Sequence, residues 1–136
     1  MLCRRFSDKA FRIYALDRLH KIELTFEHFT YPEKFSPQEY FAPYYGISTD
    51  GYAKRCRVVL KVYQELPKYL ISQPLHHSQE IKEQTPEYTV FEYWIIPAFD
   101  FVQEMLLHSE QLEVLEPESL RILVKEKIAR IADLYK

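Results

Sequence analysis

Six basic side chains lie within the first 25 residues, and their chemistry is the most suggestive of a ligand. Only three acidic residues accompany them, whereas the rest of the chain carries twelve basic and seventeen acidic residues. Arginine binds phosphate through paired hydrogen bonds and stacks on nucleic-acid bases, so a basic N-terminal segment is compatible with an anionic ligand. The alternative is a solvated surface, which runs of charge usually are.

Patterns typical of catalysis or metal binding are lacking. His76 and His77 are adjacent, and neighbouring residues of a strand point to opposite faces, so they cannot chelate one ion. The sequence has no C-x-x-C, H-x-x-x-H or G-x-S-x-G spacing, and its two glycines leave no Gly-rich phosphate cradle. We therefore expect no metal, no cofactor and no enzyme activity, and a structural, hydrogen-bonding role for the histidines.

The composition is that of a soluble globular protein. The 136 residues suffice for one ordinary domain or two small ones, with 47% hydrophobic and 28% charged residues. No run of about 18 apolar residues exists, and the N-terminus lacks the apolar core of a signal peptide. Cys3 and Cys56 are expected to be free thiols, so we predict a cytoplasmic protein.

The first half of the chain predicts short strands, one short helix and a linker. Segments 2–5 and 11–15 read as a hairpin around residues 7–10, and segment 20–26 alternates polar and apolar residues as a half-buried strand does. Its apolar side chains should face inward, namely Ile22, Leu24 and Phe26. Ser36 is a predicted N-cap, with Pro37 at the first helical position. Segment 46–53 is the best linker candidate.

From residue 54 onward the order is strand, helix, strand, strand, helix, strand, helix. The predicted bounds are strands 55–62, 78–85, 88–96 and 112–115, and helices 65–72, 100–108 and 118–135. Strand 88–96 is apolar on both faces, which favours the centre of a sheet or an interface. The predicted core includes three tyrosines and, on the second helix of this series, a phenylalanine: Tyr63, Tyr69, Tyr93 and Phe99.

Four stretches resemble the WYL family of bacterial transcription regulators. They are residues 11–19 (FRIYALDRL), 35–41 (FSPQEYF), 75–80 (LHHSQE) and 106–121 (LLHSEQLEVLEPESLR). His77 stands where the family usually has proline, and Ser109 stands about where it has glycine. Each motif is weak alone, but the four occur in the family's order and span almost the whole chain.

The resemblance implies an α+β protein with two folded parts. Residues 1–30 would be the last strands of a small Sm-like β-barrel, and residues 31–53 a short helix and linker. Residues 54–136 would be a ferredoxin-like βαββαβ domain with an added C-terminal helix. The family's Trp-Tyr-Leu signature would precede Leu2, so we expect only about three barrel strands here.

By the same resemblance, basic side chains of the 11–19 segment contact a nucleotide or single-stranded nucleic acid. The candidate ligand-binding residues are Arg5, Arg12, Tyr14 and Arg18, with Tyr14 offering a stacking face. The alternative to ligand binding is that Arg18 forms an ion pair with Asp17 or Glu23 and has a structural role at the edge of the barrel. Operator DNA would be read only by a helix-turn-helix region that this chain lacks.

Two functions follow as expectations. The favoured one is an effector-sensing and oligomerisation region of a regulator that forms homodimers. The alternative is a homodimerisation module with no ligand, suggested by strand 88–96 and the long final helix. An incomplete barrel would also leave an open sheet edge near residues 1–5 or 20–26, and we expect either that this edge pairs with another copy or that the N-terminal residues are mobile.

Overall fold

The chain forms a mixed α+β structure that divides into two compact units, Met1–Phe35 and Ser36–Lys136. The computed structural model describes residues 1–5, 7, 10–49 and 54–136. The predicted turn over residues 7–10 and the predicted linker over 46–53 therefore lie partly outside the described residues. In the described part of the chain the strands form two antiparallel sheets, and neither closes into a barrel.

The N-terminal unit contains a two-stranded antiparallel hairpin and one turn of 3-10 helix. Strand β1 spans Leu2–Arg4, strand β2 spans Phe11–Ile13, and the 3-10 turn spans Leu16–Arg18. The Tyr14 amide donates to the Met1 carbonyl at 2.8 Å and the Met1 ammonium donates to the Tyr14 carbonyl at 2.6 Å, which extends the pairing beyond the strands.

The prediction of a third strand over 20–26 is wrong for this structure. The segment forms neither strand nor helix, and Ile22, Leu24 and Phe26 are 76%, 101% and 100% exposed instead of facing inward. A strand needs a neighbour for its backbone N–H and C=O groups, and no described strand pairs with this segment. Alternation alone therefore did not suffice to form a strand.

The C-terminal unit begins with helix α1, Pro37–Phe41, which the local sequence explains. The Ser36 hydroxyl accepts a hydrogen bond from the Glu39 amide at 3.2 Å, and Pro37 occupies the first turn. The predicted N-cap is thus confirmed. Pro43 follows directly after the helix, and its carbonyl accepts from the Ile96 amide at 2.7 Å, so the chain leaves α1 hydrogen-bonded to the main sheet.

A four-stranded antiparallel sheet forms the body of this unit, in the strand order β4-β5-β3-β6. The elements follow the predicted sequence: β3 Cys56–Tyr63, α2 Leu66–Ser72, β4 Glu80–Gln84, β5 Tyr88–Ile95, α3 Phe99–Leu107, β6 Leu112–Glu116 and α4 Glu118–Asp133. Strand β5 lies between β4 and β3, which confirms that it is internal; one of its faces lies in the core, whereas Glu92 and the half-exposed Trp94 lie on the other.

One face of the sheet and the helices enclose the hydrophobic core. Alternate residues of β3 contribute Val58, Leu60 and Val62, all fully buried, as the alternation predicted. The matching residues of β5 are Phe91, Tyr93 and Ile95. The predicted core positions of Tyr69 and Phe99 are wrong, because these side chains are 68% and 54% exposed. In α3 the buried stripe is Ala98, Phe101, Val102 and Met105.

Candidate functional site

Three of the four predicted ligand-binding residues lie on one face of the hairpin. Cys3 pairs with Arg12, the Arg5 amide donates to the Ala10 carbonyl at 2.8 Å, and Tyr14 pairs with Met1. Side chains alternate between faces along a strand, so Arg5, Arg12 and Tyr14 share a face. All three are exposed, Tyr14 by 42%.

The opposite face of the hairpin is mainly apolar. Leu2, Phe11 and Ile13 lie there and are partly buried, and Arg4, which pairs with Phe11, lies on the same face and is exposed. The ring of Phe11 stacks on that of Phe35, with centroids 4.5 Å apart and planes 19° from parallel. Turning the hairpin over would expose the apolar side chains to water, so Arg5 and Arg12 stay on the outer face.

Arg18, the fourth predicted residue, belongs to a different element. It is the last residue of the 3-10 turn, and it is exposed like its neighbour Asp17. Within the described residues, Arg18 forms no ion pair with Asp17 or Glu23. The alternative prediction, in which Arg18 forms a structural ion pair with one of them, is therefore wrong for this structure. The hairpin face and Arg18 are accordingly two separate basic features.

Sequence reasoning missed a charged network on the sheet face opposite the core. Arg57 lies between two carboxylates, donating from Nε to Glu92 at 2.5 Å and from Nη1 to Glu116. Lys82 donates to Glu80 at 2.8 Å and to Glu92 at 3.1 Å. These hydrogen bonds lower the pKa of Glu92, and the bond from Arg57 has the larger effect. The cations here already have carboxylate partners, so this face is a poor phosphate site.

The aromatic side chains on the same face are also engaged. The ammonium of Lys61 lies 3.8 Å from the ring centroid of Tyr88 and 5.6 Å from that of Tyr63. Their hydroxyls donate to Glu83 at 2.7 Å and to Glu113 at 3.2 Å respectively. The prediction of a core position for Tyr63 is therefore wrong, since the ring is only partly buried beside the network. The alternation along β3 predicted its polar face. Its partners on the neighbouring strands could not be predicted, because they depend on the register in which the strands pair.

His76 has a structural role, as expected, but the two histidines lie in a turn before β4 and not in a strand, and their ring centroids are 4.0 Å apart, so the argument from opposite strand faces is wrong. His76 is 7% exposed, and its Nε2–H donates to the Ala42 carbonyl, the C-cap of α1, at 2.7 Å. Its Nδ1 lies 2.7 Å from the Ser78 hydroxyl and accepts from the Ser78 amide at 3.2 Å. The ring therefore joins α1 to the segment that enters β4, and we call these contacts the His76 latch.

Gln79, in the same motif, forms side-chain hydrogen bonds with three other residues. Its Nε2 donates to the Leu70 carbonyl at 2.6 Å, and its Oε1 accepts from the Leu75 amide at 3.2 Å and from the Tyr93 hydroxyl at 2.9 Å. Burial raises the pKa of Tyr93, which keeps this hydroxyl a neutral donor. In the motif His76-His77-Ser78-Gln79, three of the four side chains thus hydrogen-bond within the unit.

Neither a metal centre nor a membrane span is found in the part of the chain that the structure describes. No three His, Cys, Asp or Glu side chains are grouped as metal ligands among residues 1–5, 7, 10–49 and 54–136. Over the same residues, no helix has the length and apolarity needed to cross a bilayer. Comparison with protein families and with curated proteins finds no match to this sequence.

Proposed function

We propose that this chain is the C-terminal effector-sensing and oligomerisation region of a bacterial WYL-type transcription regulator. The effector would be a nucleotide or a single-stranded nucleic acid, bound by Arg5, Arg12 and Tyr14, with Arg18 nearby in sequence. The observation that carries the proposal is the hairpin register, which gathers these three exposed side chains on one face. Guanidinium groups beside an exposed aromatic ring suit phosphates with adjacent bases.

The C-terminal unit supports the same assignment through its topology. A strand-helix-strand-strand-helix-strand order with the sheet order β4-β5-β3-β6, every neighbour antiparallel, agrees with a ferredoxin-like extension followed by an added helix. Such a unit would hold copies together or bias the N-terminal unit between two states. That bias requires a ligand with different affinities for the two states.

The test is fluorescence anisotropy of the full chain with a short labelled single-stranded oligonucleotide, titrated at several salt concentrations. For single strands, each phosphate that the protein neutralises steepens the fall of log K with log salt by about 0.7. Arg5→Ala/Arg12→Ala removes two predicted phosphate contacts and should therefore make the slope of log K against log salt less steep by about 1.4. Arg12→Ala/Arg18→Ala should give the same change only if Arg18 also binds a phosphate. An unlabelled mononucleotide as competitor distinguishes the two effector classes.

The matched control is Lys125→Ala/Arg130→Ala, which removes the same charge from α4. It should leave the slope unchanged if binding is local to the hairpin face. Absence of salt-dependent binding by the unaltered chain, or equal losses in the control and in Arg5→Ala/Arg12→Ala, would refute the effector site.

A second candidate function is homodimerisation alone, and the observation that favours it is the end of α4. Leu120 and Val124 are buried, but the same helical face continues into exposed apolar residues: Ile128, Ile131, Leu134 and Tyr135, exposed by 41%, 47%, 81% and 86%. Strand β5 has no free edge for a second copy, because β3 and β4 pair with it on both sides.

A further inference from the structure

The segment that follows α1 is held to the rest of the C-terminal unit mainly by hydrogen bonds. We call residues 42–48 the strap and residues 54–136 the body. No residue of 36–48, all of which the structure describes, is buried or belongs to the hydrophobic core. Within this described segment Tyr45 alone packs against the core, its ring edge-on to Phe101 with centroids 6.0 Å apart. Removing α1 and the strap would therefore expose little of the core.

One face of α3 carries the carboxylates that hold the strap. Asp100 and Glu104 are four residues apart, so they lie on the same face of the helix. Asp100 Oδ2 accepts from the Ile47 and Ser48 amides at 2.8 and 2.9 Å, and its Oδ1 accepts from the Ser48 hydroxyl at 2.6 Å. Glu104 accepts from the Tyr45 hydroxyl at 2.9 Å. The bonds from Ser48 and Ile47 lower the pKa of Asp100 against the opposing effect of burial, so an ionised carboxylate holds the strap.

Two further hydrogen bonds hold the other end of the strap. His76 Nε2 donates to the Ala42 carbonyl at 2.7 Å, and the Ile96 amide donates to the Pro43 carbonyl at 2.7 Å. Ile96 directly follows β5, whereas Phe91, inside β5, is paired with strands on both sides. The Ile96 amide thus depends on the strap for its hydrogen bond, and the Phe91 amide depends on the sheet.

We propose that residues 36–48 open as one unit while the body stays folded, so that α1 and the strap are a releasable connection to the N-terminal unit. Water replaces the polar contacts when they break, so each contributes little net stability. Segments with few buried apolar contacts open at a lower free energy than the core. The N-terminal unit ends at Phe35, so opening adds 13 residues, up to about 45 Å, to the length of chain between the units.

The opening should be cooperative, because the contacts on α3 share one carboxylate. The Ile47 and Ser48 amides both donate to Asp100 Oδ2, and a Cβ added to Gly46 would lie 2.3 Å from the same oxygen. A displacement of the strap that breaks one of these contacts therefore breaks the others as well. The opening needs no ligand at the hairpin face, so it can be confirmed or refuted independently of the proposed function.

The experiment is native-state hydrogen exchange of the full chain, followed by NMR at single amides. The reporters are the amides of Ile47, Ser48 and Ile96, with the Phe91 amide reporting global unfolding. We expect the three reporters to share one opening equilibrium, at least about 100-fold more populated than the one that exposes Phe91.

A matched pair of variants tests whether the strap controls this exchange. Tyr45→Phe removes one hydrogen bond of the strap and should raise the opening equilibrium of all three reporters by about fivefold. Tyr63→Phe makes the same change in the body, where the hydroxyl donates to Glu113 at 3.2 Å, and should leave the three reporters unchanged. Ser48→Ala, which removes the hydroxyl bond to Asp100, should act like Tyr45→Phe.

A core variant tests whether the body stays folded when the strap opens. Val62 is fully buried and lies six residues along β3 from Cys56, the partner of Ile95, which is about 20 Å along the strand. Val62→Ala should speed the exchange of Phe91 by about tenfold or more, because it weakens the core. It should not change the three reporters for as long as they exchange faster than Phe91, because the open and closed states share that core.

Three outcomes would overturn the proposal. The first is exchange of the reporters no faster than that of Phe91, which would mean that the strap opens only on global unfolding. The second is a Tyr45→Phe variant that speeds exchange at Ile47 but not at Ile96, which would mean that the strap does not open as a unit. The third is a Val62→Ala variant that speeds exchange of the reporters as much as that of Phe91.

Discussion

The His76 latch gives the sharpest prediction about stability, because a single buried ring makes all of its contacts. The change His76→Ala removes the donor to the Ala42 carbonyl and the acceptor for the Ser78 amide and hydroxyl. The ring has two hydrogen-bonding positions, because the single lone pair of Nδ1 is shared by the Ser78 amide and hydroxyl, and at about 1 kcal/mol net each they amount to about 2 kcal/mol of unfolding free energy. For a chain of this size, that lowers Tm by roughly 6 °C.

The assay is urea unfolding followed by circular dichroism, with His77→Ala as the matched control. His77 is the adjacent residue and is exposed, so its removal should cost less than about 0.5 kcal/mol. In both variants the unfolding free energy should fall with urea concentration as steeply as in the unaltered chain, since the surface exposed on unfolding hardly changes. Unfolding free energies of the two variants within about 0.5 kcal/mol of each other would refute the latch.

The same contacts give the latch a pH dependence whose sign can be stated. Burial lowers the pKa of His76; the hydrogen bond to Ala42 opposes this, and His77 and Arg55 lower the pKa further. The unfolded state, with a pKa of about 6.5, therefore binds the proton first as the pH falls. The latch's contribution should be complete above pH of about 6.5 and decline below it, by at most about 1.4 kcal/mol per pH unit. The stability difference between the unaltered chain and His76→Ala isolates this effect, and a difference that stays constant from pH 7 to pH 5 would contradict it.

Three further substitutions test the packing and hydrogen bonding of the C-terminal unit by the same unfolding assay. Gly46→Ala should cost about 2–4 kcal/mol, because φ is 77° there and an added Cβ would lie 2.3 Å from Asp100 Oδ2. Ser48→Ala, which loses only the 2.6 Å hydrogen bond to Asp100, should cost about 1 kcal/mol, and equal costs would remove the steric argument. Tyr93→Phe should cost about 1 kcal/mol, since Gln79 loses one donor but keeps the Leu75 amide. No measurable cost would mean that this hydroxyl contributes nothing to the buried network.

Elements with complete local signals could be predicted from the sequence. Ser36 followed by Pro37 defines the start of α1 without reference to any other part of the chain. The alternation along β3 likewise identifies its buried face before any partner strand is known. Short-range information suffices here because capping and face selection are settled by residues a few positions apart.

Predictions that required a choice between equivalent patterns were less successful. Phe99 and Phe101 both lie at helical spacing from other apolar residues, so two stripes compete on α3, and packing buries Phe101 while leaving Phe99 54% exposed. Segment 20–26 failed for a different reason, since its alternation is genuine but no described strand pairs with it. The Arg57 network could not be predicted either, because its carboxylates come from two other strands.

The two units differ in which of their polar and apolar groups contribute to the stability of the fold. In the C-terminal unit, Arg57, Lys82, His76 and Asp100 all have partners within the unit, so these groups stabilise the fold. In the N-terminal unit the apolar residues of 20–31 are exposed beside a hairpin with one basic face. Substitutions of these exposed apolar residues should therefore change the unfolding free energy less than substitutions of the buried and hydrogen-bonded groups of the C-terminal unit.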